Sequence, residues 1–155
     1  MKSPILLSVL LLSASSAVAD DFVYLKCDNE MTLTSTEIST GKILNDDETK
    51  SETVYLKIDP NRNRFMSYKP SSDKSDFKWD EASISGGVLS ANMLETNKAL
   101  KANGELNLEF KPAGKLRSKF SAIAFGLISS EIDITGDCVD VNASIFEKAL
   151  EESES

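Results

Sequence analysis

Cys27 and Cys138 are the residues of this chain whose type most directly promises covalent chemistry. Cys27 is in phase with Val23 and Leu25 at period two, and Cys138 with Ile132 and Ile134, so both take the core side of a strand. Such a pair is expected to form a disulfide in an oxidising compartment. It lacks the Cys-x-x-Cys spacing that lowers a thiol pKa, which favours a structural bridge over a redox couple. A bridge between the first and last strands would staple the ends of a sheet together, as a closed barrel requires.

The remaining chemistry would have to come from oxygen ligands and carboxylates. The chain has no histidine, which removes the commonest general base and the commonest metal ligand. Asp59-Pro60-Asn61-Arg62-Asn63 contains the D-x-N-x-N start of a calcium loop. Arg64 stands where that loop needs glycine and Pro70 where it needs glutamate, so a hairpin turn is expected. Asp46-Asp47-Glu48 reads as a solvated acidic loop. Asp80 with Glu81, or Glu131 with Asp133, could pair as acid and base, but nothing in the sequence sets their separation. There is no G-x-S-x-G, no glycine-rich phosphate loop and no zinc spacing. Neither an enzyme nor a metal or organic cofactor is expected. Asn142-Ala143-Ser144 is a formal glycosylation sequon.

One aromatic segment suits recognition instead. Phe77 and Trp79 share one parity, whereas Ala82 and Ile84, further along the same run, share the other. Either a bulge near Asp80-Glu81 shifts the phase, the more ordinary solution, or the two aromatics point outward. The outward arrangement would place Trp79, the only tryptophan, on a ligand or partner surface together with Phe77 and Tyr68.

The elements that must position these residues follow from length and pattern. Lys2, the apolar run from Ile5 to Leu12 and the small residues Ala17-Val18-Ala19 read as a cleaved export signal ending at residue 19. Residues 20–155 then form one domain, periplasmic or secreted. The longest later apolar run, residues 120–128, is far below the roughly 20 residues of a membrane span, so no membrane anchor is expected. Twenty-five acids against 17 basic residues give a formal charge of −8, which repels nucleic acid. A monomer is expected.

Alternation at Val54, Leu56 and Ile58, at Leu106, Leu108 and Phe110, and at Ile132 and Ile134 signals half-buried strands. A first strand is read at residues 22–27, ended by Asp28-Asn29. Gly86-Gly87 predicts a two-residue hairpin that pairs Ile84 with Leu89 and Ala82 with Ala91. Pro112-Ala113-Gly114 ends the strand at residues 106–111. Residues 40–52 and 69–75 read as loops, and residues 94–103 as a short helix closed by Gly104. Ser144-Ile145-Phe146-Glu147 matches a capping box, predicting a two-turn terminal helix and a frayed tail over 151–155. The sum is an all-β, mainly antiparallel meander barrel of about eight strands, with a β-sandwich as the alternative.

Tyr24-Leu25-Lys26-Cys27-Asp28, Leu106-x-Leu108-x-Phe110 with Gly114-x-Leu116, and Gly136-Asp137-Cys138 carry a resemblance. Their order resembles uncharacterised small exported bacterial β-rich proteins with a first-strand cysteine and a late Gly-x-Cys. The resemblance implies a periplasmic or secreted β-rich domain and no particular activity. The architecture is also similar to lipocalin-like barrels, but their early G-x-W is missing. Two functions are compatible with this object. One is a non-catalytic module that binds a small apolar or amphipathic ligand. The other is an interaction module, such as an inhibitor or accessory subunit of another exported protein.

Overall fold

The computed structural model describes residues 21–70 and 78–152. The expected signal, most of the loop read at 69–75, Phe77 and the last three residues lie outside them. Nine antiparallel strands, one α-helix and a single 3-10 turn at Pro60–Arg62 are present among the described residues: β1 (Val23–Glu37), β2 (Ile43–Asp59), β3 (Arg64–Tyr68), β4 (Asp80–Glu81), β5 (Ser83–Ser85), β6 (Val88–Thr96), β7 (Leu100–Phe110), β8 (Ala113–Ala124), β9 (Ile128–Asp140) and α1 (Ala143–Glu152).

The strands form one sheet in the order β4-β3-β2-β1-β9-β8-β7-β6-β5. Its two ends, β4 and β5, are separated in the chain by Ala82 alone, whose N–H donates to the Asn63 carbonyl at 2.9 Å. Residues 80–85 therefore act as one bent stave, bonded to β3 by its first half and to β6 by its second. Every stave lies beside its sequence neighbour, and β9 returns to β1. The result is the expected up-and-down barrel, nearly closed, with a short terminal helix.

The alternating pattern accounts for the core. Leu25, Leu56, Ile58, Phe65, Leu89 and Leu108 all point inward at one end of the barrel and are fully buried or nearly so. Cys27 stands directly opposite both Val54 and Cys138 and is bonded to Cys138, so the bridge ties the first strand to the last. Outside the wall, α1 lays Phe146 against Tyr24 and Tyr68, with ring centroids 5.5 and 6.0 Å apart.

Several local expectations give way. Asp28-Asn29 does not end the first strand, because β1 is paired on both sides and the two ladders outweigh a turn preference. Residues 43–52 are strand rather than loop. The charges of Asp46, Asp47, Glu48 and Lys50 face solvent, with Lys50 and Glu48 2.9 Å apart, while the backbone pairs with β1. The helix expected at 94–103 is the β6–β7 hairpin. Asn97 Oδ1 accepts from the N–H groups of Ala99 and Leu100, both at 2.8 Å, and closes a turn where helix formers dominate the composition. Gly104 is no helix cap but a strand residue lying under the Phe120 ring. At α1, Asn142 Oδ1 caps the Ile145 N–H at 3.0 Å in place of Ser144, and the helix is longer than two turns. The Gly86-Gly87 hairpin pairs Ile84 with Leu89 as expected, and Asp59 caps the turn before β3. Ala82 lies just beyond the paired residues of that hairpin.

Candidate functional site

The barrel is filled at the disulfide end and hollow beyond it. Past Asn29 the long strands outrun the short β3, β4 and β5. The inward-phase residues Met31, Leu33, Met93, Phe120, Ile132 and Ile134 are only half-buried there. A hollow of about 310 Å3 opens between Leu56, Phe65, Met93, Leu106, Phe120 and Ile134. A second, of about 760 Å3, adjoins it and shares Phe65, Asp80, Met93 and Phe120. Both volumes fall in the range of small-molecule clefts.

The sequence produces this shape through residue size. Gly104 leaves space for the Phe120 ring, which turns across its own sheet. Gly136, opposite Asn29, leaves space for the Asn29 amide. Polar groups are few. Ser118 donates to the Glu105 carbonyl at 2.7 Å, and Glu52 at the mouth pairs with Lys69 at 2.8 Å. Asp80 borders both hollows and lies 3.9 Å from Lys78. Asn29 Oδ1 is buried and has no hydrogen-bond partner. Asn29 also borders a groove of about 360 Å3 on the wall, lined by Asp28, Glu30, Lys115, Arg117 and Asp137. The ion pair of Lys115 with Asp137 lies along it, and its lining is more polar than that of the hollow.

Of the aromatic candidates, Tyr68 borders the hollow, but its ring, like Trp79, packs on the outer wall. Trp79 takes the outward arrangement, without the bulge. Asp80 borders the hollow, Ala82 and Ile84 pack on the core, and Trp79 stacks on Phe22 at 6.0 Å with the Arg64 guanidinium 4.2 Å from its ring centre. The tryptophan is half-buried under these two neighbours rather than presented as a free platform. Tyr68 is only 2% exposed, between Tyr55 and Phe146. Phe77 lies outside the described residues. The structure thus gathers Trp79 and Tyr68 on the outer wall of β1–β3, where they brace the α1 contact and the entry to β1.

The carboxylate pairs do not converge. Asp80 borders the hollow while Glu81 is exposed. Asp133 holds Lys119 at 2.9 Å, and Glu131 accepts from Ser121 at 2.7 Å. Asp133 is the main cause that raises the Lys119 ammonium above its ordinary value. Asp59 is engaged by Arg64 at 2.9 Å. Sequence reasoning missed Asn29, Met93 and Phe120 as lining residues. Continuing the period-two pattern of Val23, Leu25 and Cys27 through residue 29 to Met31 and Leu33 would have found the first.

Compared with protein families, curated proteins and solved structures, the chain matches none. The site must be interpreted from its own geometry.

Proposed function

We propose that this protein is a non-catalytic binding module that holds a small apolar or amphipathic ligand in the open end of its barrel. The observation that carries this reading is the hollow of about 310 Å3 lined by Leu56, Phe65, Met93, Leu106, Phe120 and Ile134. Apolar surface left facing a cleft gains when a ligand displaces its water. The Cys27–Cys138 bridge supports a periplasmic or secreted setting, where such bonds persist. Among the described residues no helix is long and apolar enough to cross a membrane.

The test is titration with N-phenyl-1-naphthylamine, whose fluorescence rises in apolar surroundings. Saturable enhancement is expected, and Met93→Trp, which fills the cleft, should weaken it by roughly tenfold, the loss of about 1.4 kcal/mol of contact. A linear, unsaturable response, or full binding in Met93→Trp, would remove the reading.

A second reading, an interaction module for another exported protein, is favoured by the hairpin tips. Phe125 and Leu127 are 73% and 61% exposed, and Ile38 and Ile43 at the β1–β2 tip are exposed as well. Ile38 N–H donates to the Leu127 carbonyl at 2.8 Å and Phe125 N–H to the Ala99 carbonyl at 2.6 Å, which ties three tips together. Preordered apolar tips of this kind suit protein contacts.

A further inference from the structure

We infer that the joined hairpin tips at the open end of the barrel form a docking edge for a lipid surface with anionic headgroups, and that Phe125 is its central contact. The inference does not depend on what the hollow holds. It starts from the β8–β9 turn. Leu127 N–H donates to the Ala124 carbonyl at 2.9 Å, and both residues between them, Phe125 at φ 51° and Gly126 at φ 68°, lie in the left-handed region. Such a turn favours asparagine, aspartate or glycine at its first central position, because these tolerate positive φ. A phenylalanine there is a backbone outlier. Its ring is 73% exposed, so neither the turn nor the core gains from it. An aromatic ring held against backbone preference and left in water points to a surface outside the molecule that takes it up.

The neighbouring tips indicate what that surface is. Leu127 and Ile38 are exposed beside Phe125 in the fold of the tips, since Ile38 N–H bonds to Leu127 and Phe125 N–H to Ala99. These bonds hold the turns as one edge, so little ordering remains to be lost on docking. The turn residues 38–42, 97–99 and 125–127 include Lys42 and Lys98, both exposed, and no carboxylate, in a chain of 25 acids and 17 basic residues. Glu37 and Glu95 stand behind the turns and accept from Thr40 and Asn97. Apolar side chains at the point with cations beside them match the layering of a membrane surface, where acyl chains lie beneath anionic headgroups. A rigid protein would have to offer a recess to each projecting side chain, whereas a fluid interface yields to all of them. The contact lies on the membrane and does not cross it.

The experiment floats the processed protein, from residue 20 onward, with vesicles of phosphatidylcholine containing one quarter phosphatidylglycerol. The parent should rise with the vesicles. Phe125→Asn gives the turn a residue it prefers. It should lower the partition about tenfold, the worth of burying much of one phenylalanine ring, while its thermal midpoint stays the same or rises. Lys42→Gln combined with Lys98→Gln should also lower the partition about tenfold on these vesicles, and by much less on phosphatidylcholine alone. Should Phe125→Asn not fold, Leu127→Ser and the lysine pair decide. A parent that stays at the bottom of the gradient overturns the inference and leaves the tips to a protein partner. A Phe125→Asn protein that rises as well as the parent, or a lysine pair without effect on the mixed vesicles, overturns it too.

Discussion

Thr53 donates to Asp28 across the β1–β2 ladder at 2.7 Å, and Lys26 approaches the same carboxylate at 3.2 Å. Both bonds favour the ionised form, the Thr53 hydroxyl more than the lysine, and they hold the Asp28 carboxyl below its ordinary value. The folded value therefore lies below the unfolded one. The bonds add stability at pH above the unfolded pKa, and that contribution is lost as pH falls through the folded pKa. Thr53→Val removes the larger cause. In carboxyl-detected NMR titration, Asp28 of the variant should titrate at higher pH than in the parent. An unchanged midpoint would mean that the hydroxyl is not responsible. The same residue pair shows why side-chain identity alone misleads: Asp28 and Asn29 are turn formers by composition, yet one faces solvent and the other the hollow.

Leu108 in β7 pairs with Leu89 on one side and Leu116 on the other, and none of its surface is exposed. Leu108→Ala should cost about 2–5 kcal/mol in urea unfolding, the range for core leucines. A cost below roughly 0.5 kcal/mol, the usual scatter of surface substitutions, would contradict the central position of this strand. Strands of this kind were legible in the sequence, because alternation at Leu106, Leu108 and Phe110 is a local signal. The Gly86-Gly87 hairpin and the Asp59 turn were legible for the same reason. Residues 43–52 were not, since an acidic strand has no apolar face to announce it and is held by the backbone of β1. The β6–β7 hairpin was hidden by good helix formers at 94–103, whose preference is a few tenths of a kcal/mol per residue and yields to nine ladder pairs. The hollow was least legible of all. It depends on where long strands outrun short ones, and on Gly104 beneath Phe120, neither of which a single segment records.

The barrel as a whole is tied through one covalent bond between strands that are 111 residues apart. In the chain-entropy view, such a link raises stability by about 4–5 kcal/mol. Reductant should therefore lower the thermal midpoint, while melts with and without a chelator should coincide. A midpoint insensitive to reductant but lowered by chelator would place the stability elsewhere. The adjacency of β1 and β9 also sets a clock. Translation proceeds from the N-terminus at roughly 5–20 residues per second. Cys27 thus leaves the ribosome about 6–22 s before Cys138, given the 111 residues between them. Throughout that interval one edge of β1 has no partner. The barrel therefore cannot close until β9 has been made.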